Sequence, residues 1–215
     1  TVNAAGFSHL GSRALFAFYA WVAGVFYLFS QLKTKTRLLG ALIGPLVLFF
    51  VIVAAGQEAD RTILPPGLQS GLVTVHLTLS IGGEILFVLA SCAGVMFLIQ
   101  SRLLKSKRFT SMSRLLPPLS DLDRINHWCL LWGFPLLTCG IIAGVIYAAF
   151  VWENIWAHDP KVIWSFIAWI AYGVLLHQRL ALGWKGFRMA ALSCVVFLLF
   201  LITYSLVLVF PSTRT

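Results

Sequence analysis

His76, His177 and Glu84 are ionisable side chains set within long apolar stretches, and they define the chemistry this chain could perform. A charged or ionisable group is costly in lipid, so one that lies inside a span faces a cavity, a partner or a bound group. Neutral imidazole is a good ligand for iron and other transition metals, which makes His76 and His177 the leading site candidates. Glu84 follows His76 by two turns. At about 100° per residue, Ser80 and Glu84 share a side of the helix with His76, giving a polar stripe. That stripe reads either as functional, an oxygen that holds the second N–H of a ligand imidazole or a proton path, or as a polar contact between helices.

A second concentration of chemistry is the segment Val151–Lys161, which sets Trp152, Trp156, His158 and Asp159 between two apolar runs. Tryptophans gather at membrane interfaces on amphipathic grounds alone, so one reading is simple anchoring. The i, i+4 spacing of Trp152 and Trp156, with Trp164 and Trp169 following, supports another: an aromatic shelf for a flat aromatic ligand. A metalloporphyrin such as haem b suits a shelf of this kind, with histidines as axial ligands and apolar walls around the ring. The remaining histidines, His9 and His127, fall outside the spans or at their edge.

The elements that must position these residues are read from composition. The 215 residues are 60% hydrophobic and 11% charged, with a mean hydropathy of +0.91, whereas a soluble domain carries roughly 25% charged residues. Six stretches near the roughly 20 residues needed to cross a bilayer predict an all-α, polytopic membrane bundle with spans at about 14–32, 38–55, 72–100, 128–150, 162–180 and 189–209. The whole chain, 1–215, reads as a single membrane domain, with the Trp-rich connection at 151–161 on the outer side. Lys33, Lys35 and Arg37 follow the first span, Arg102, Lys105, Lys107, Arg108, Arg114 and Arg124 the third, and Arg179, Lys185 and Arg188 the fifth. Cytoplasmic loops collect such residues, so both termini are expected on the non-cytoplasmic side. The net charge of +9 then reflects orientation in the membrane, and no nucleic-acid partner is needed to explain it.

Minor features fit the same frame. Thr1–Ser12 lacks the charged start of a secretory signal, and a chain that opens on Thr leaves room for a preceding helix. Cys92, Cys129, Cys139 and Cys194 lie in spans without a CxxC pair, and read as small packing residues. Gly140 and Gly144 have the spacing of a helix-association motif. Pro45 and Pro135 lie within spans, where a kink is expected. The inner stretch Ser101–Asn126 reads as a short surface helix or ordered turn.

Two stretches, Leu116-Pro117-Pro118-Leu119-Ser120-Asp121-Leu122-Asp123 and Gly133-Phe134-Pro135-Leu136-Leu137-Thr138-Cys139-Gly140-Ile141-Ile142-Ala143-Gly144, carry a resemblance. It continues through Trp152, Trp156, Asp159-Pro160-Lys161, Trp164, Leu175-Leu176-His177-Gln178-Arg179 and Gly183-Trp184-Lys185-Gly186. Together they resemble the cytochrome c assembly family of membrane haem-handling proteins (CcsA/CcmC type). The resemblance implies that His76 is an outer axial ligand, that Trp152, Trp156 and Asp159 belong to a periplasmic haem platform, and that His177 belongs to an inner haem site. It also implies a bacterial inner membrane, or an equivalent organelle membrane, as the location.

The departures from that pattern point to the shorter HemX-like and YpjD-like branch. His158 stands where the synthases place a Trp, Val162 stands where they usually have Glu, and Val209–Thr215 contains no histidine where a second outer ligand is expected. The resemblance therefore implies haem binding or trafficking in preference to haem lyase chemistry. Its implied partners are the lipid bilayer, a separate cytochrome c assembly subunit with a periplasmic domain, and apocytochrome c. Two other functions stay open: a non-catalytic membrane subunit that regulates haem biosynthesis or stabilises another complex, and a transporter of a different ligand.

Overall fold

Apolar runs of this length must satisfy their own backbone hydrogen bonds in lipid, and helices do so within a single segment. The computed structural model describes residues 12–33, 43–44, 47–48, 51–52, 54–56, 68–106, 116–151 and 160–209, and its regular elements are all helical. They are α1 (Ser12–Lys33), α2 (Leu68–Lys105), α3 (Leu119–Val151), α4 (Pro160–Leu180) and α5 (Phe187–Val209). The described residues between 43 and 56 are helical as well, within the expected second span. Gly71–Lys105 and Leu119–Ala149 are long and apolar enough to cross a membrane, and Phe16–Val25 and Phe187–Leu199 are shorter apolar stretches.

Helices α2 and α3 are longer than the sequence suggests, because both ends of the stretch expected as a short surface helix or ordered turn belong to the long helices. α2 runs on to Lys105, and α3 already starts at Leu119, just after Pro117-Pro118. The start is set locally: the N–H groups of Asp121 and Leu122 return to Pro118 O at 3.0 and 3.2 Å, and the Asp121 carboxylate in the first turn complements the helix dipole. At 1.5 Å per residue, α3 is about 50 Å long against a hydrocarbon core of about 30 Å. Its polar first turns, with Asp121, Asp123, Arg124 and His127, therefore project beyond the apolar section. Pro135 is accommodated inside α3 without ending it.

α2 runs antiparallel to α3. Going up α2, His76 meets Gly144, Ser80 meets Gly140, Gly83 meets Leu137 and Leu86 meets Gly133, so each turn gained on α2 is a turn lost on α3. α2 also runs antiparallel to α5, through Gly94 against Ala190 and Phe87 edge-on to Phe197. α4 lies against α3 and α5, while α1 touches α2. Lipid offers no hydrophobic drive for helices to associate, so such contacts depend on close packing and hydrogen bonds. The α2–α3 seam supplies the packing: a methyl added at Gly140 would come within 2.7 Å of Ser80 N, and one at Gly83 within 2.8 Å of Leu137 N.

Buried polar groups supply the hydrogen bonds. Asn126, 3% exposed, donates from Nδ2 to Ala90 O at 2.8 Å and to Ser193 Oγ at 2.9 Å. Ser91 Oγ donates to Phe87 O at 3.0 Å and to Ser193 O at 3.2 Å. This network ties α2, α3 and α5 together where apolar contact alone would let them slide. The opposite face of α3 presents Trp128, Trp132, Ile142 and Ile146 outward, as expected of a surface that meets lipid.

Gly140→Ala should lower the thermal midpoint in mild detergent, at a cost of about 1–3 kcal/mol for overpacking a close contact. Gly71→Ala, whose methyl would meet nothing within 4 Å, should leave the midpoint unchanged. An unaltered midpoint in Gly140→Ala would mean that the seam opens at no cost.

Candidate functional site

His76 stands half-buried on α2, with its ring laid against the bare Cα of Gly144. Its Nδ1 is 2.7 Å from Gly140 O and 3.4 Å from Ser80 Oγ. A carbonyl oxygen only accepts, so Nδ1 carries the proton in that bond and Nε2 is the lone-pair nitrogen of the neutral ring. This is the arrangement that metal-ligating histidines use, in which the second ring nitrogen donates to an oxygen that fixes tautomer and orientation. Gly144 is the reason the ring fits: a methyl there would lie 2.7 Å from both Cε1 and Nδ1.

Glu84 accepts a hydrogen bond from the Tyr19 hydroxyl, which joins α1 to α2. The oxygens beside the His76 ring come from Gly140 and Ser80. Of the stripe read from the sequence, Ser80 thus sits beside His76 against α3, whereas Glu84 meets α1. Trp152, Trp156, His158 and Asp159 lie outside the described residues, as does His9. The ends of the connection that carries the first four are nonetheless fixed by α3 and α4. Val151 lies two turns beyond Gly144 and Pro160 opens α4, so that connection leaves and re-enters the bundle at the His76 end.

His177 belongs to the other end, roughly 20 Å away by helix rise. It is exposed on α4 and lines a groove of about 370 Å³ with Phe134, Trp169, Gly173 and Gln178. The groove is walled by an aromatic ladder. Phe134 stacks on Trp169 at 5.6 Å and on Tyr172 at 5.8 Å, while Trp169 Nε1 donates to Thr138 Oγ1 at 2.9 Å. Buried Tyr172 donates its hydroxyl to Cys129 O at 3.0 Å, and Gly133 lacks the side chain that would occupy the hydroxyl's place. The two candidate histidines therefore do not share a single site.

Arg179, buried to 7% exposure, forms the centre of a cluster that counting charges by loop does not reveal. Its Nη1 and Nη2 each donate to a different Asp123 carboxylate oxygen at 2.7 Å, its Nε donates to His127 Nδ1 at 3.3 Å, and Nη1 also reaches Trp184 O at 3.3 Å. Gly186 N adds a 2.7 Å bond to Asp123 Oδ1. Burial works against the Asp123 charge, but the Arg179 and Gly186 hydrogen bonds and the Arg179 charge outweigh it and hold the carboxyl below its ordinary range. Burial, followed by the Arg179 charge, pushes the His127 imidazole down and favours the neutral ring that accepts from Arg179.

The cluster also fastens the turn from α4 to α5. Gly183 and Gly186 adopt φ of 65° and 63°, the left-handed region that a side chain disfavours. Ala181 N returns to His177 O at 2.8 Å and Trp184 N to Gln178 O at 3.1 Å. A sequence signal for the cluster existed in Asp123, an acid within a basic stretch, but nothing local pairs it with an arginine 56 residues on.

Because the folded Asp123 carboxyl titrates below its unfolded value of about 3.9, its contribution to stability is complete above that value and is lost as pH falls through the lower folded one. Wild type should therefore lose thermal stability through this range. Asp123→Asn, less stable at neutral pH, should lose less; parallel slopes in melts from pH 6 to 3 would remove Asp123 as the group responsible.

Residues 10–213 match the model of the family described as Cytochrome C assembly protein. The cytochrome c biogenesis protein CcsA of Guillardia theta is 28% identical over 216 residues, covering 92% of this chain and 71% of that protein. The CcsA of Chlamydomonas reinhardtii is 32% identical over 188 residues, covering 84% of this chain and 52% of that protein. That of Microcystis aeruginosa is 26% identical, covering 87% and 72%. The chain thus spans about half the length of the Chlamydomonas relative and about seven tenths of the other two. No solved structure matches it. A family match that runs almost from end to end of this helical, apolar chain places it in the cytochrome c assembly protein family of membrane proteins.

Proposed function

We propose that this chain binds haem b and passes it across the membrane, with a six-span topology that puts both termini on the non-cytoplasmic side. The observation that carries the reading is the 2.7 Å hydrogen bond between His76 Nδ1 and Gly140 O. It prepares Nε2 as the donor atom for iron and holds the ring against rotation. The connection bearing Trp152, Trp156, His158 and Asp159 starts and finishes at the same end of the bundle, in keeping with a shared outer site.

In this reading His76 would hold haem iron on the outer side while the tryptophans present flat apolar surface to the ring and Asp159 lies beside them. His177, with Phe134 and Trp169, would receive haem near the opposite surface, where the aromatic groove provides apolar contact and an exposed imidazole. When bound, haem would supply an iron centre that His76 and His177 could coordinate through imidazole nitrogen. The chain's own task is to orient the imidazoles and exclude water through the apolar walls. Glu84 would support the outer site through the α1 contact with Tyr19. A separate subunit with a periplasmic domain and an apocytochrome c are the proposed partners, and the HemX-like and YpjD-like proteins the proposed nearest branch.

The reading is tested by absorption spectra and pyridine haemochrome quantitation of protein purified in mild detergent, beside His76→Ala and His177→Ala. Near-stoichiometric b-type haem that falls in His76→Ala is expected. Protein free of haem after expression with an ample supply would overturn it in favour of a non-catalytic regulatory subunit.

A further inference from the structure

Helix α4 carries two stripes with different environments. Tyr172, Leu175 and Arg179, spaced i, i+3 and i+7, are buried toward the bundle. Trp169, Gly173 and His177, spaced i, i+4 and i+8, line the groove. Residues 177 and 179 lie about 200° apart around the helix axis, so a bond that fixes where Arg179 points also fixes where His177 points. Arg179 is held by a two-pronged ion pair to Asp123, with both N–O distances at 2.7 Å. A forked pair of this kind restrains angle as well as distance, which a single ammonium contact does not.

The restraint reaches the backbone at His177 and at the residue that follows it. His177 O accepts from Ala181 N at 2.8 Å, and Gln178 O accepts from Trp184 N at 3.1 Å. Trp184 O in turn receives Arg179 Nη1 at 3.3 Å, and Asp123 Oδ1 receives Gly186 N at 2.7 Å. Asp123 therefore holds the arginine and the turn together, and the turn closes the last hydrogen bonds of the helix at the residue that bears the imidazole. Tyr172, fixed through Cys129 O, restrains the same helix a turn and a half earlier.

We propose that Asp123 and Arg179 are positioning residues for His177, setting the rotation of α4 so that the imidazole stands in the aromatic groove. Neither residue touches a ligand; each acts through the helix. As a role in haem transfer this rests on the function proposed above, whereas the orientation of His177 does not.

The test uses the full chain in lipid nanodiscs, comparing wild type with Asp123→Asn, Asp123→Glu and Arg179→Lys. Three readouts are taken: backbone amide exchange at residues 181–186, the ring signals of isotope-labelled His177 assigned with His177→Ala, and the spectrum and midpoint potential of bound haem. Asp123→Asn is expected to speed exchange at Ala181, Trp184 and Gly186 by about tenfold, as local opening becomes easier. It should also broaden or split the His177 ring signals and shift the haem spectrum, with Asp123→Glu recovering part of each effect. Arg179→Lys, which keeps the charge and loses the fork, should fall between wild type and Asp123→Asn, and it carries the same decision if Asp123→Asn does not fold. Faster exchange with unchanged His177 ring signals would overturn the proposal, since the ion pair would then merely close a turn. Unchanged exchange would overturn it too. A wild-type protein that binds no haem would sink the proposed function, while the ring signals and amide exchange would still decide the placement of His177.

Discussion

The close approach of α2 to α3 is the constraint on which the other features rest. Because Gly83, Gly140 and Gly144 put no side chain in the seam, the two backbones come near enough for the carbonyl of one helix to receive an imidazole N–H from the other. A wider spacing would leave His76 either unsupported or turned toward its own helix. Farther along, the same proximity brings Asn126 within reach of Ala90 O. Packing in lipid gains little from apolar surface as such, so the bundle is held by how closely and how specifically its helices meet.

The two ends of the bundle use different means to hold a histidine. At the His76 end the ring is fixed directly, by a backbone carbonyl and a neighbouring glycine. At the other end the His177 imidazole has greater exposure, and order is imposed on the helix beneath it by an arginine, an aspartate and a turn with two left-handed glycines. One imidazole is thus held by a short hydrogen bond and the other stands in an open groove, so the two ends of the bundle differ in how firmly a ring is fixed.

Much of this was legible in the sequence where the cost of a residue exceeds any ordinary structural need. A histidine in an apolar run is expensive, so His76 and His177 stood out as candidates, and Gly140 and Gly144 announced a helix contact by their spacing. The helical class followed from the length of the apolar runs. The Asp123–Arg179 pair was not legible, because Arg179 served equally well as one more cation in a basic loop and its partner lies 56 residues away. Glu84 was read as one stripe with His76, whereas its hydrogen bond from Tyr19 comes from α1. Ser91, Asn126 and Ser193 were passed over since short polar side chains are unremarkable singly, and only assembly of three helices makes them a network.

The contact between His76 and Gly144 has a consequence for how such a chain can diverge. The glycine leaves room for the His76 ring, which a methyl at 144 would meet at 2.7 Å. Substitution at 144 would therefore be judged by what stands at 76, and a change at 76 would release 144 from its restriction. The two positions form one inherited unit: a descendant that lost the imidazole should accumulate larger residues at 144, and once it had, restoring His76 alone would no longer restore the site.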